Sequence, residues 1–217
     1  IVDNAFASLG FPAEAAKYTF PEEMFLPGSD LTPIVENIDK VIDGLTKWEP
    51  KIKEKAMVRP PKIIVEGKDY KESFANMNNL FLRNLWSDGL PILPPTAERV
   101  SWVLTGTDLS PDTLVGEGRV LPRGGASTVE MLAVNLAMAG GRPEYLPVLI
   151  AAVEAITNPL MAHHAWTATT SATVPMVIVS GPVAKQIRLN RGYGCLGPSS
   201  EFPAGASIGR AIRLILL

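Results

Sequence analysis

The sequence predicts a helix-dominated α/β or α+β protein. Buried apolar helices pack on a small sheet, and the end of a separate α/β domain stands at the N-terminus. Three observations carry this. Residues 128–139 and 146–156 are apolar nearly all round, the mark of buried helices. Residues 174–180 (VPMVIVS) form a β-branched run bounded by turn residues, expected as a strand with both faces covered. Residues 1–50 hold one amphipathic helix and too little apolar sequence for a core of their own.

Length and composition set the outer bounds. At 217 residues, with 47% hydrophobic and 19% charged, the chain is long enough and apolar enough for a substantial core. A net charge of −2, without a basic stripe, argues against a nucleic-acid surface. A single cysteine excludes an internal disulfide framework and a CxxC zinc site, and fits a cytoplasmic setting. No signal peptide or apolar run of spanning length is present, so no membrane partner is expected. The chain starts at Ile1 and stops inside an apolar helix, so a segment of a longer polypeptide is expected.

Residues 1–50 are acidic, with nine Asp and Glu against three Lys. Ala13–Lys17 reads as a short helix or turn. Thr32-Pro33 gives a cap and a first-turn proline to a helix with Ile34, Ile38, Val41, Ile42 and Leu45 on one face. Residues 51–62 carry five basic residues, one Glu and Pro60-Pro61, and read as a linker. A larger α/β domain is expected over 63–217.

That domain opens on a strand candidate, Ile63–Val65. Asp69-x-x-Glu72 is a capping box for a helix with Phe74, Met77, Leu80, Phe81 and Leu85 on one face. The prolines of Trp86–Thr96 (WSDGLPILPPT) then exclude a helix, and Thr96 caps a short one through Leu104, ended by Gly106. Residues 106–126 read as loop. Ser127-x-x-Glu130 is a second capping box, opening the helix through Ala139. Gly140-Gly141 stops it, and the next helix tolerates Pro147 only in its first turn. After the 174–180 strand, Gly181-Pro182 leads into a helix to about Leu189, and Ser207 caps the last one, 208–217.

Residues 163–203 gather the features of a site: both histidines, the cysteine and a dense Thr/Ser/Gly loop set. His163 and His164 are adjacent, and in extended chain point to opposite faces, so they are not an i, i+4 metal pair. Either can serve as a general acid or base with Asp88 or Glu130 orienting it, or be a structural histidine at a turn. Cys195 lies among glycines with Arg191 nearby, as a nucleophile or as a small buried hydrophobe. Arg123-Gly124-Gly125, Ser180-Gly181 and Ala204–Ser207 end at expected helix N-termini. Such ends favour anions, although ordinary capping with turn glycines is the plainer reading of each. Asn135 in an apolar helix, the hydroxyl-rich Thr167-Ala168-Thr169-Thr170 stretch before the strand, and Tyr193 complete the candidate substrate-binding set. No Walker loop or GxGxxG fingerprint is present, so no cofactor is specified.

Trp86–Thr96, the stretch from Thr128 through Asn135 to Tyr145, and the stretch from Gly181 to Leu216 together resemble a bacterial family associated with UGSC-type proteins. Those are small thioredoxin-like or Rossmann-like proteins named for a Gly-Ser-Cys motif preceded by selenocysteine or cysteine. Residues 1–48 are similar to the C-terminal end of the small domain, and 63–217 to its larger partner. The resemblance implies thiol or selenol chemistry, but the motif is not in these residues, and Cys195 does not match it.

Three functions are therefore expected in order. The first is a thiol- or selenol-linked redox enzyme acting on a small anionic substrate held by glycine-rich loops. The second is a lyase or hydrolase with a histidine base. The third is a non-catalytic assembly subunit whose apolar helices, 128–157, form an oligomer interface. A homo-oligomer is expected in each case.

Overall fold

A computed structural model describes residues 26–47, 62–121, 124–167, 173–191 and 199–216, and the chain divides into two units between Val58 and Arg59. In the first unit two short helices are described, α1 (Thr32–Glu36) and α2 (Ile38–Thr46). The sequence predicts one helix there. Asn37 interrupts it, turning its side-chain amide back onto the Pro33 carbonyl at 2.9 Å. Thr32 is the first helical residue rather than the cap, and Asp30 accepts its N–H at 2.9 Å. No residue of either helix is buried.

The second unit begins with α3 (Tyr70–Arg83). The Asp69 carboxylate accepts the Glu72 N–H at 2.8 Å, and Glu72 reaches back to the Lys68 N–H at 2.8 Å. This is the expected capping box, closed one residue further out. Ile63–Val65 is not a strand among the described residues, and Ile63 and Ile64 are exposed. Helix α4 (Ala97–Leu104) has the Thr96 hydroxyl as its cap, accepting from the Arg99 N–H at 3.3 Å. Arg99 then donates to Ala137 O at 3.2 Å and so ties α4 to the end of a later helix.

The region read as loop, 106–126, contains the sheet. Strands β1 (Leu114–Val120) and β2 (Gly125–Thr128) pair antiparallel, with Arg119 opposite Ala126 and Val120 opposite Gly125. The register shifts between Leu114 and Arg119, where Gly116 and Gly118 take positive φ. That bulge hides the strand in the sequence, because glycine carries no β-propensity and breaks the alternation.

Helix α5 (Val129–Met138) leaves β2 directly. Its cap is Thr128, whose hydroxyl accepts the Met131 N–H at 3.2 Å, not Ser127. Ser127 is buried and donates to Val115 O at 2.8 Å across the hairpin. Replacing Thr128 by Ala is expected to cost about 1 kcal/mol, the usual worth of a hydroxyl cap, read as a shift of the urea midpoint at unchanged slope. Helix α6 (Leu146–Thr157) follows a 3-10 turn, with Pro147 in its first turn as expected.

Leu132 and Leu136 of α5 and Leu146, Leu149 and Val153 of α6 are the fully buried centre of the core. Helix α6 lies on β1, while α5 lies against α4 and the last helix, α9 (Pro203–Ile215). The apolar stretch 128–157 therefore supplies most of the interior of this unit. A second cluster joins Met77, Ile92, Met138 and Leu214. Asn78 fixes Ile92 there, accepting its N–H at 2.8 Å.

Between α6 and α9 come α7 (His163–Thr167) and α8 (Pro182–Gln186). Two expectations fail in this part. Residues 174–180 pair with no strand among the described residues, and their outer side chains are uncovered. Helix α9 starts four residues before Ser207, at Pro203, whose fixed φ suits a first helical position and whose missing N–H costs nothing there.

Candidate functional site

His163 is brought inward by the turn before it. Ala162 takes a left-handed conformation (φ 44°) after the 3-10 turn Pro159–Met161, so that α7 starts with His163 facing the protein. The two histidines thus lie on a helix rather than in extended chain, with His163 buried and His164 exposed. Nε2 of His163 accepts the Leu121 N–H at 2.9 Å. That lone pair is engaged, so the ring is not available there as a base in this arrangement. Burial first, and the neighbouring His164 second, hold its pKa below the ordinary 6.5.

Asp88 is equally occupied, but at another place. Arg210 on α9 grips it with Nε to Oδ2 at 3.0 Å and Nη2 to Oδ1 at 3.1 Å. The same Nη2 reaches Leu90 O at 3.1 Å and Pro91 O at 2.8 Å. Asp88 also caps its own turn through the Leu90 N–H. The Arg210 guanidinium is the main reason that its carboxyl titrates below the usual range. It is a clamp on the proline-rich loop, and its hydrogen bonds go to that loop and to α9 rather than to either histidine.

Gly124 and Gly125 do not precede a helix; they close the β1–β2 turn, with the Gly124 N–H on Val120 O at 2.8 Å. The first amides of α5 are already used. Val129 donates to Thr113 O at 3.0 Å, Glu130 to Pro111 O at 2.9 Å, and Met131 to Thr128. An anion would have to displace these bonds. Asn135 turns its amide onto Met131 O, one helical turn back, at 2.8 Å. Thr167 closes α7 and spends its hydroxyl on the His163 carbonyl. Ser180 is exposed before Gly181, the cap of the five-residue α8. Arg123, Ala168, Thr169, Thr170, Tyr193 and Cys195 lie outside the described residues.

Two open hollows, of about 310 and 570 Å³, are lined by Ile64, Val65, Glu66, Asn76, Leu80 and Arg83 and by Gly181, Pro182, Lys185 and Gln186 respectively. The second includes Gly181 of the Ser180-Gly181 turn, at the start of the five-residue α8, and neither includes a histidine, Asp88 or Asn135. Among the described residues no group of His, Cys, Asp and Glu is arranged to hold a metal, and no helix is long and apolar enough to cross a membrane.

What stands out instead is 174–180. Val174, Met176 and Ile178 are 78%, 68% and 81% exposed, while Val177 is 38% exposed and Val179 packs against the core. A two-residue alternation is that of extended chain. The 174, 176, 178 side presents an apolar row to solvent, and on the other side Val179 anchors the segment to the core. No backbone hydrogen bond involving these residues occurs among the described residues. The run of β-branched residues marks an extended segment in the sequence; that its outer row is bare is not legible there.

No family model, curated protein or solved structure matches this chain.

Proposed function

We propose that the Arg59–Leu217 unit is an assembly module and that segment 174–180 joins it to a second copy of the chain by antiparallel strand pairing. The alternating exposure of Val174, Met176 and Ile178 is the observation that supports this reading. In extended chain, residues 174, 176, 178 and 180 direct N–H and C=O to one edge, and 175, 177 and 179 to the other. Pro175 removes a donor from the second edge only, so the first is complete and has no backbone partner among the described residues. An antiparallel match with its own copy is self-complementary and places the apolar rows side by side. Such a seam is smaller than the roughly 1,600 Å² of a standard interface, so a dimer dissociating in the micromolar range is expected. Analytical ultracentrifugation tests it. The wild type should show concentration-dependent dimers and Ile178→Lys a monomer with an unchanged melting temperature. A wild type that stays monomeric at high micromolar concentration, or an Ile178→Lys dimer of equal strength, rejects it.

A second reading keeps the redox enzyme for small anions that the family resemblance implies. It is favoured by the bond between Leu121 and His163, which brings α7 to the hairpin turn beside exposed His164. Titration with oxidised glutathione, an anionic disulfide, tests it. Saturable binding weakened in His164→Ala supports the reading, and the absence of binding heat rejects it.

A further inference from the structure

We infer that His163 is a pH-dependent latch on the turn end of the β1–β2 hairpin. Val120 is the last residue of β1 and accepts the Gly124 N–H that closes the turn. Leu121, the next residue, gives its own N–H to Nε2 of His163 at 2.9 Å. The backbone of His163 is fixed at the start of α7, where the Thr167 hydroxyl donates to its carbonyl at 2.6 Å. The whole residue is only 5% exposed.

This contact exists in one protonation state only. A neutral ring with its proton on Nδ1 accepts at Nε2; an imidazolium carries hydrogens on both nitrogens and accepts at neither. Protonation sets an N–H against the Leu121 N–H in a place largely shielded from water, where an unsatisfied donor is costly. The ring and the hairpin end must then part.

The charged or titratable groups on the neighbouring elements are His164 on α7, Glu117 and Arg119 on β1, and Glu154 on α6. Of these, His164 is the one that acts on the ring, and it adds to burial in the same direction. Among the described residues no carboxylate acts to hold the charged form. The folded state therefore binds the proton less readily than the unfolded chain. The latch is complete above pH 6.5 and is lost as the pH falls below that value through the lower folded pKa. The inference is independent of either function proposed above.

Amide hydrogen exchange on the intact chain tests it, with the Leu149 amide in the core as reference. Leu121 protection, corrected for intrinsic exchange, should fall by up to tenfold per pH unit as the pH drops from 6.5 towards the folded pKa and be gone below it, where Leu149 levels off with its protection retained. In His163→Gln the side-chain oxygen accepts the same N–H without titrating, so the Leu121 profile should be flat. His164→Gln should keep the slope and move its midpoint upward. A flat wild-type profile, an unchanged slope in His163→Gln, or loss at Leu149 that runs on in parallel below the folded pKa overturns the latch. If His163→Gln does not fold, the nitrogen-15 spectrum of the wild-type ring near neutral pH decides. A bare Nε2 and a protonated Nδ1 support it, and the reverse tautomer overturns it.

Discussion

Replacing Arg210 by Ala is expected to lower the unfolding free energy by about 2–3 kcal/mol. The guanidinium makes two bonds to Asp88 and one each to the carbonyls of Leu90 and Pro91. Without it, a carboxylate that is mostly shielded from water loses its partner, and two carbonyls lose a donor. Removing one partner of a fully buried pair costs about 3–5 kcal/mol. Arg210 is a quarter exposed, so water screens part of that. Arg210→Lys should recover only a fraction, because an ammonium cannot span carboxylate and carbonyls as a planar fork does. The pH dependence follows from the carboxyl. Arg210 lowers its folded pKa below the ordinary 3.8, so the stabilisation is complete above pH 3.8 and is lost as the pH falls through the folded value. Urea unfolding at neutral pH should separate wild type and variant clearly, and the gap should narrow well below pH 3.8. A gap that does not change with pH would assign the clamp to the two carbonyls instead.

That clamp shows what a sequence leaves unreadable. Trp86–Thr96 stands out by its prolines, and Asp88 reads as a candidate acid. Its partner is 122 residues away, an arginine in the middle of α9, and no spacing rule connects the two. Local signals fare better. The caps at Asp69 and Thr96, the first-turn Pro147 and the buried pair α5 and α6 follow from short-range chemistry, and the structure has them. Where several hydroxyls adjoin, as at Ser127-Thr128, the sequence points to the wrong one. Which becomes the cap depends on the hairpin across from it. The sheet is the opposite case. The most strand-like run, 174–180, has no strand partner among the described residues, and the glycine-interrupted 114–120 has one. β-propensity reports how well side chains suit a half-buried pleat, and it does not say where a pairing edge will be.

The candidate site is legible only as composition. His163 holds a backbone amide, and Asn135 holds its own helix. Both are ordinary uses of polar groups that must be satisfied when shielded from water. Distinguishing that use from catalysis needs the third dimension, because the same residue types serve both.

Gly116→Ala is expected to cost about 3 kcal/mol, and its cause can be isolated. The residue sits at φ 58°, where a side chain costs about 1–2 kcal/mol. The added Cβ would also lie 2.0 Å from Oγ1 of Thr157 and 3.3 Å from the Glu154 backbone. Thr157 is fully buried and spends its hydroxyl on Val153 O at 2.8 Å, so it cannot turn away without losing that bond. Gly118 is the internal comparison, at φ 74° with the flexible Leu114 side chain as its nearest neighbour, the closest atom 3.3 Å away. Gly118→Ala should therefore carry the backbone cost alone, about 1 kcal/mol. Thr157→Ala removes the blocking hydroxyl at its own cost of about 1–2 kcal/mol for the lost bond and methyl group. The Gly116→Ala, Thr157→Ala double variant should then be more stable than the sum of the two losses by about 1 kcal/mol or more, as expected of residues in contact. Strict additivity in chemical denaturation would mean that the backbone conformation, not the close approach of β1 to the end of α6, is what demands glycine there.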